Sequence, residues 1–151
     1  MNVITEEQVT KAILAHLVNE KWDILAYDFP QSGVGKMLRR NDAVSEKSKR
    51  GIIPDIITGK DGICLFFENK SRVDMSDFLK INALVTDNQY TRDISSLLAG
   101  YSIQKIFYGV AFPLAKCNRN ALDNARLVDF IIGVSDAETI EFISNPYGII
   151  L

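Results

Sequence analysis

Two apolar runs between Ile52 and Arg72, IIPDIITGKDGICLFFENKSR, carry acids where apolar strands should have none. Asp55 follows Pro54 inside Ile-Ile-Pro-Asp-Ile-Ile, and Glu68-Asn69-Lys70 closes the second run. A carboxylate in an apolar strand is costly to bury unless a partner or a metal ion compensates it. Two converging carboxylates with a neighbouring main-chain carbonyl make an all-oxygen donor set. Such a set suits Mg²⁺ or Mn²⁺, and Mg²⁺ commonly takes one or two carboxylates and fills its shell with water and phosphate. A metal so held polarises a phosphodiester and acidifies a bound water. A lysine two residues after Glu68 is placed to orient that water or to stabilise developing charge. The competing reading is a surface hairpin whose acids pair with Lys70 or Arg72, and the flanking Ile and Phe residues argue for depth instead.

For this chemistry the hairpin must present Asp55, Glu68 and Lys70 on one face. Gly59-Lys60-Asp61-Gly62 is a strong turn signal. A two-residue turn at Lys60-Asp61 pairs Gly59 with Gly62 and sets Asp55 across from Phe66, with Glu68 on the diagonal. Directly opposed residues share a face and side chains alternate along a strand. Asp55, Glu68 and Lys70 are therefore expected on one side, and a one-residue slip would separate them. Ile63, Leu65 and Phe67 take the other side, so both faces are apolar, as in a central strand.

A first helix is predicted over Thr5 to Lys21, opened by a Thr5-x-x-Gln8 capping box. Val9, Ile13, Leu14, Leu17 and Val18 fall on one arc. Glu6 lies near the middle of that arc and Glu7 at its edge. One reading makes both first-turn acids favoured by the helix dipole; the other directs Glu6 toward the sheet for use at the site.

The other elements follow from periodicity and punctuation. Ile24 to Phe29 reads as a strand ended by Pro30. Gln31 to Gly51 is polar and rich in Gly, Ser, Lys and Arg, with a short helix expected around Lys36 to Ala43. Its Gly33-Val34-Gly35-Lys36 lacks the spacing and hydroxyl of a phosphate-binding loop. Ile52 to Thr58 and Ile63 to Lys70 are strands. Asp74 to Gly100 reads as two helices broken near Thr86-Asp87-Asn88. Leu79, Ala83 and Leu84 are expected inward on the first of them, and Ile94, Leu97 and Leu98 on the second. Lys105 to Pro113 is a strand. Asn118 to Asp129 is a helix with Ala121, Leu122, Ala125 and Val128 inward. Phe130 to Val134 and Thr139 to Ile143 are short strands, and Asn145 to Gly148 turns into an apolar tail. This order predicts an α/β fold, a mixed central sheet flanked by helices, with an extra C-terminal helix and short strands.

The chain has 151 residues, 47% hydrophobic and 24% charged, which fits one domain over 1–151 with a sizeable core. The formal charge is −2, but Gln31 to Gly51 holds Lys36, Arg39, Arg40, Lys47, Lys49 and Arg50 against Asp42 and Glu46, a local net of +4 that leaves −6 elsewhere. Such a patch suits a phosphate backbone even on an acidic body. Cys64 and Cys117 are too few for a disulfide framework or a thiolate zinc site. The lone histidine, His16, is expected to be structural or exposed. No run is long and apolar enough to span a membrane, and the acidic N-terminus lacks a secretory pattern. A cytoplasmic setting is expected.

Pro54-Asp55 and Glu68-Asn69-Lys70, with the α-β-β-β-α-β order over about Glu6 to Pro113, resemble the PD-(D/E)XK nuclease superfamily and its restriction-endonuclease-like core. The resemblance implies Mg²⁺-dependent phosphodiester hydrolysis, with Mn²⁺ able to substitute. It implies metal binding by Asp55, Glu68 and the main-chain carbonyl of Asn69, a water-positioning role for Lys70, and a first-helix glutamate, Glu6 or in reserve Glu7. Ser32-Gly33 followed by basic residues, Ile53-Pro54-Asp55-Ile56-Ile57 and Glu68-Asn69-Lys70-Ser71-Arg72 are similar to the central block of archaeal-type Holliday junction resolvases. That likeness implies a homodimer cutting branched DNA, with Ser32 assisting. Small restriction or phage-defence endonucleases, a catalytically silent DNA-binding module and an RNA-processing nuclease remain alternatives, and a further protein subunit stays open. Ser32, Lys36, Arg39, Arg40, Lys47, Lys49, Arg50 and Arg72 are the expected DNA contacts. They would position a backbone rather than read bases.

Overall fold

A computed structural model of the chain describes residues 4–28, 38–39, 41, 51–86, 90–136 and 139–151. Helix α1 spans Glu6–Asn19 and begins with the expected capping box: Thr5 N donates to Gln8 Oε1 at 2.8 Å, and Gln8 N to Thr5 Oγ1 at 3.2 Å. It ends in a Schellman turn. Trp22 N donates to Leu17 O, Lys21 N donates to Val18 O, and Lys21 takes the left-handed conformation at φ 68°. Val9, Ile13 and Leu17 are buried, as are Thr10 and Ala12. Val18, expected inward, is 60% exposed, because it lies one residue past Leu17 and turns off the stripe.

Strand β1 (Asp23–Tyr27) leads to the basic segment. Of that segment only Leu38, Arg39, Asn41 and Gly51 are described. Leu38–Arg39 forms β2 and pairs antiparallel with β3 (Gly51–Ile52) in a two-stranded ribbon. The helix expected around Lys36 is replaced at these two residues by strand, and Leu38, only 1% exposed, is held by burial in the core.

The strand expected over Ile52 to Thr58 is divided. Pro54 has no N–H to give to a ladder, and the chain bends at Asp55 before β4 (Ile56–Lys60) enters the main sheet. Strand β5 (Ile63–Asn69) pairs antiparallel with β4, Lys60 opposite Ile63 and Ile56 opposite Phe67. The turn residues are thus Asp61-Gly62, not Lys60-Asp61. Both have positive φ, 51° and 83°, as a type I′ turn requires, and Asp-Gly meets that demand at less steric cost than Lys-Asp. The register moves by two residues, so the face of every side chain is kept.

Helices α2 (Met75–Thr86) and α3 (Thr91–Leu98) follow, then β6 (Lys105–Pro113), the short helix α4 (Arg119–Asp123) with a 3-10 turn at Ala125–Leu127, and strands β7 (Phe130–Val134) and β8 (Ile140–Ser144). The single helix expected over Asn118 to Asp129 is therefore two pieces, and Leu122 is 55% exposed. The main sheet has the order β1-β4-β5-β6-β7-β8, with β5, β6 and β7 parallel and the remaining pairs antiparallel. The chain is an α/β protein with a six-stranded mixed sheet flanked by helices.

Each sheet face has its own core. On one, Val9, Ile13 and Leu17 of α1 meet Ile56, Leu65, Phe67, Phe130 and Ile132. On the other, Phe78, Ile81 and Leu84 of α2 and Ile94 and Leu98 of α3 meet Ile57, Cys64, Phe66, Tyr108, Val110 and Ile131. Leu79, expected inward, is 58% exposed. Burying a large aliphatic or aromatic side chain contributes about 1.5–3 kcal/mol, so β5, buried on both faces from Cys64 to Asn69, is the most firmly held strand at the site. Gly109 opposes Phe130, and a Cβ there would lie 2.3 Å from the ring. Its missing side chain is what lets Phe130 stack edge-on against Phe67, with centroids 5.1 Å apart. Among the described residues no helix is long and apolar enough to cross a membrane.

Candidate active site

The charged residues converge where β4 begins, β5 ends and both α1 and α2 begin. The β4–β5 ladder ends at Ile56 opposite Phe67, and Asp55 and Glu68 are the next residue on each strand, near enough that Glu68 repels the Asp55 carboxylate. Both lie on the α2 side with Ile57 and Phe66. Asp55 is fixed at three points. Its N donates to Phe67 O at 2.9 Å, its carbonyl accepts from Asp28 N at 2.8 Å, and its Oδ2 accepts from Asn69 N at 2.7 Å. Burial, with added repulsion from Glu68 and Glu6, pushes its carboxyl up to about 7 despite the Asn69 hydrogen bond.

Glu68 is 3% exposed. Its Oε1 lies 3.1 Å from Lys80 Nζ and 3.9 Å from Lys70 Nζ. Its Oε2 is buried with no hydrogen-bond partner among the described residues. Burial raises its pKa, against the pull of Lys80 and Lys70. Lys70 follows the end of β5, its N donating to Ala111 O at 2.9 Å. Its Nζ stands 3.8 Å from Asp77 Oδ1 and 3.9 Å from both Glu6 Oε1 and Glu68 Oε1. These separations exceed hydrogen-bond length, so the ammonium is held by field rather than by a directed bond. Desolvation pulls its pKa down, but Asp77, Glu6, Glu68 and Asp55 together raise it.

Asn69 points to the opposite layer. Its Nδ2 donates to Thr10 Oγ1 at 3.0 Å, and Thr10 Oγ1 donates to Glu6 O at 3.1 Å. This relay fastens the first turn of α1 to the end of β5 and brings Glu6 to the mouth of the site. Glu7 instead pairs with Lys11 at 3.2 Å along the exposed face, so geometry selects Glu6.

Glu6, Asp55, Glu68, Asn69 and Lys70, expected from sequence, are thus brought together. Arg72 is exposed two residues beyond Lys70. Ser32, Lys36, Arg40, Lys47, Lys49 and Arg50 lie outside the described residues, and Arg39 is described only as strand backbone. Asp77 and Lys80 were not expected. They sit three residues apart on α2, Asp77 only 7% exposed, with Oδ2 lacking a partner among the described residues. An Asp-x-x-Lys step beside the apolar stripe Phe78, Ile81, Leu84 was the signal. It was hidden by placing Leu79 inward.

With all six groups charged, Glu6, Asp55, Glu68 and Asp77 against Lys70 and Lys80 leave a net of −2, which one divalent cation would balance. Among the described residues no three Asp, Glu, His or Cys side chains form a gathered metal cluster. The donors nonetheless fit a hard cation. Asp55 and Glu68 offer carboxylate oxygens of the kind such an ion takes, and among the described residues Glu68 Oε2 is a buried acceptor with no hydrogen-bond partner. Two concavities among the described residues lie elsewhere. One of about 360 Å³ is lined by Trp22, Lys60, Lys105 and Tyr147, and one of about 320 Å³ by His16, Phe142 and Ile149. Neither contains any of the six charged groups. No family model, curated protein or solved structure matches the chain.

Proposed function

We propose that this chain is a divalent-metal-dependent DNA endonuclease with the restriction-endonuclease-like core of the PD-(D/E)XK superfamily, cutting branched DNA in the manner of Holliday junction resolvases. The observation that carries this reading is the placement of Asp55, Glu68 and Lys70 at one point on paired central strands, with Glu6 arriving from α1. In this reading Asp55, Glu68 and the Asn69 carbonyl hold Mg²⁺, or Mn²⁺ in its place. The ion supplies Lewis acidity to a phosphodiester oxygen and lowers the pKa of a bound water.

The chain's own residues do the rest. The Asn69 N–H keeps Asp55 aimed toward Glu68. The Lys70 ammonium, not committed to any one acid, is free to orient the attacking water and to stabilise charge building on the phosphate. Glu6 sets the outer edge of the field that holds Lys70. Arg72 and the basic segment at 31–51 neutralise backbone phosphates, contacts that position DNA without reading sequence. Cutting both strands calls for two such sites, hence a homodimer.

The test is a cleavage panel of four-way junctions, flaps, plain duplex and matching RNA, with Mg²⁺ or Mn²⁺ and with a chelator. Junction cutting that needs metal and vanishes in Lys70→Ala is expected. Cutting confined to specific duplex sites would move the assignment to a restriction-type enzyme, and no cutting of any substrate would overturn it.

A further inference from the structure

We infer that Lys80 is the resident counter-cation of Glu68 and yields that place to the divalent ion, an inference that rests on the metal-dependent reading above. Glu68 is buried at 3% exposure, and a buried carboxylate needs a compensating cation. Lys80 Nζ, 3.1 Å from Oε1, makes the closest ion pair at the site. The lysine expected to do chemistry, Lys70, stands back at 3.9 Å. A dication on Glu68 and an ammonium on the same carboxylate would repel strongly at such range.

Of the two lysines, Lys80 is the one built to leave. Lys70 is surrounded by acids from three elements, Glu6 of α1, Glu68 of β5 and Asp77 of α2. Lys80 makes one ion pair among the described residues, with Glu68, though Asp55 and Asp77 also feel its charge, and its side chain is already 33% exposed. Its four-carbon stem can swing to water without moving α2. Lys80 thus keeps the site compact before metal arrives, without occupying the role of Lys70.

Two measurements on the full chain test this, both with Mn²⁺ as the probe. In the wild-type protein, lysine acylation followed by mass spectrometry should show Lys80 reacting about threefold faster at saturating Mn²⁺, as its side chain passes from 33% exposed to fully solvated. In Lys80→Met, calorimetric Mn²⁺ affinity at pH 8 should rise by about tenfold, the scale of one close charge coupling. Unchanged or slower labelling of Lys80 in the wild-type protein overturns the proposal, because a distant electrostatic effect would tighten binding without freeing the amine. Weaker or equal binding by a folded Lys80→Met overturns it too, leaving the metal site itself standing. Absence of Mn²⁺ binding in both proteins overturns the metal-dependent reading together with it.

Discussion

The main-chain N–H of Asn69 donates to Asp55 Oδ2 at 2.7 Å, so the strand that carries Glu68 also aims the carboxylate across from it. Two acids that repel each other are thereby kept within reach of one ligand by a backbone bond that side-chain mutation of Asn69 would not remove.

Asp55→Asn should therefore separate activity from stability. The amide oxygen still accepts from Asn69 N, while the charge that Glu68 and Glu6 oppose is gone. Cleavage is expected to fall by about 10²-fold or more. Urea unfolding at pH 8 without metal should show a gain of about 1–3 kcal/mol. A loss of stability would mean that Asp55 is structural.

The pH dependence has a definite sign. Asp55 titrates near 7 in the folded chain and near 3.8 when unfolded, so between these values the folded state binds more protons. Its contribution to stability is full below about 4 and is lost as pH rises to about 7. Burial shifts Glu68 and Asp77 in the same direction. Metal-free protein should melt at lower temperature at pH 8 than at pH 5, and Asp55→Asn should flatten the profile. Because the ion displaces a proton, Mn²⁺ affinity should weaken by about tenfold per unit below pH 7. Scanning calorimetry and metal titration across this range check both.

Thr10→Val removes the hydroxyl that receives Asn69 Nδ2 and donates to Glu6 O. Asn69 would then bury an unsatisfied amide donor, at a cost of about 1–3 kcal/mol in urea unfolding. Activity should fall further than stability alone explains, since the first turn of α1 loses its tie to β5. Thr10→Ser, which keeps the hydroxyl, should restore both.

Replacing Lys36, Arg39, Arg40, Lys47, Lys49 and Arg50 in pairs by Gln should weaken DNA binding equally across sequences and flatten its salt dependence. Each lost phosphate contact reduces the slope of log K against log salt by about 0.9 on duplex DNA. Filter-binding or anisotropy titrations at several salt concentrations measure this. An unchanged slope would remove the segment from the interface.

Much of this architecture was legible because local signals and burial agree. Thr5 and Gln8 announce α1, and the strands Lys105–Pro113 and Phe130–Val134 fall where their apolar runs do. Face assignment survived a wrong turn because strand alternation has period two, so a shift of two residues conceals itself. What failed was helical phase. Leu79 and Leu122 are apolar but exposed, and counting Leu79 inward turned α2 enough to hide Asp77 and Lys80. An apolar residue is free to face water, whereas a buried acid needs a partner, so the acid was the better guide to the inner face.

Lys70 meets a carboxylate from each helical layer: Glu6 from the helix on one face of the sheet and Asp77 from the helix on the other. Under the proposed function this works as an interlock. A chain with one layer undocked would still carry Asp55, Glu68 and Lys70 in sequence, yet its ammonium would lack one of the three acids that hold it. Competence to cut is then deferred until both halves of the molecule have closed on the sheet, which would spare DNA from incomplete or unfolding copies of the enzyme.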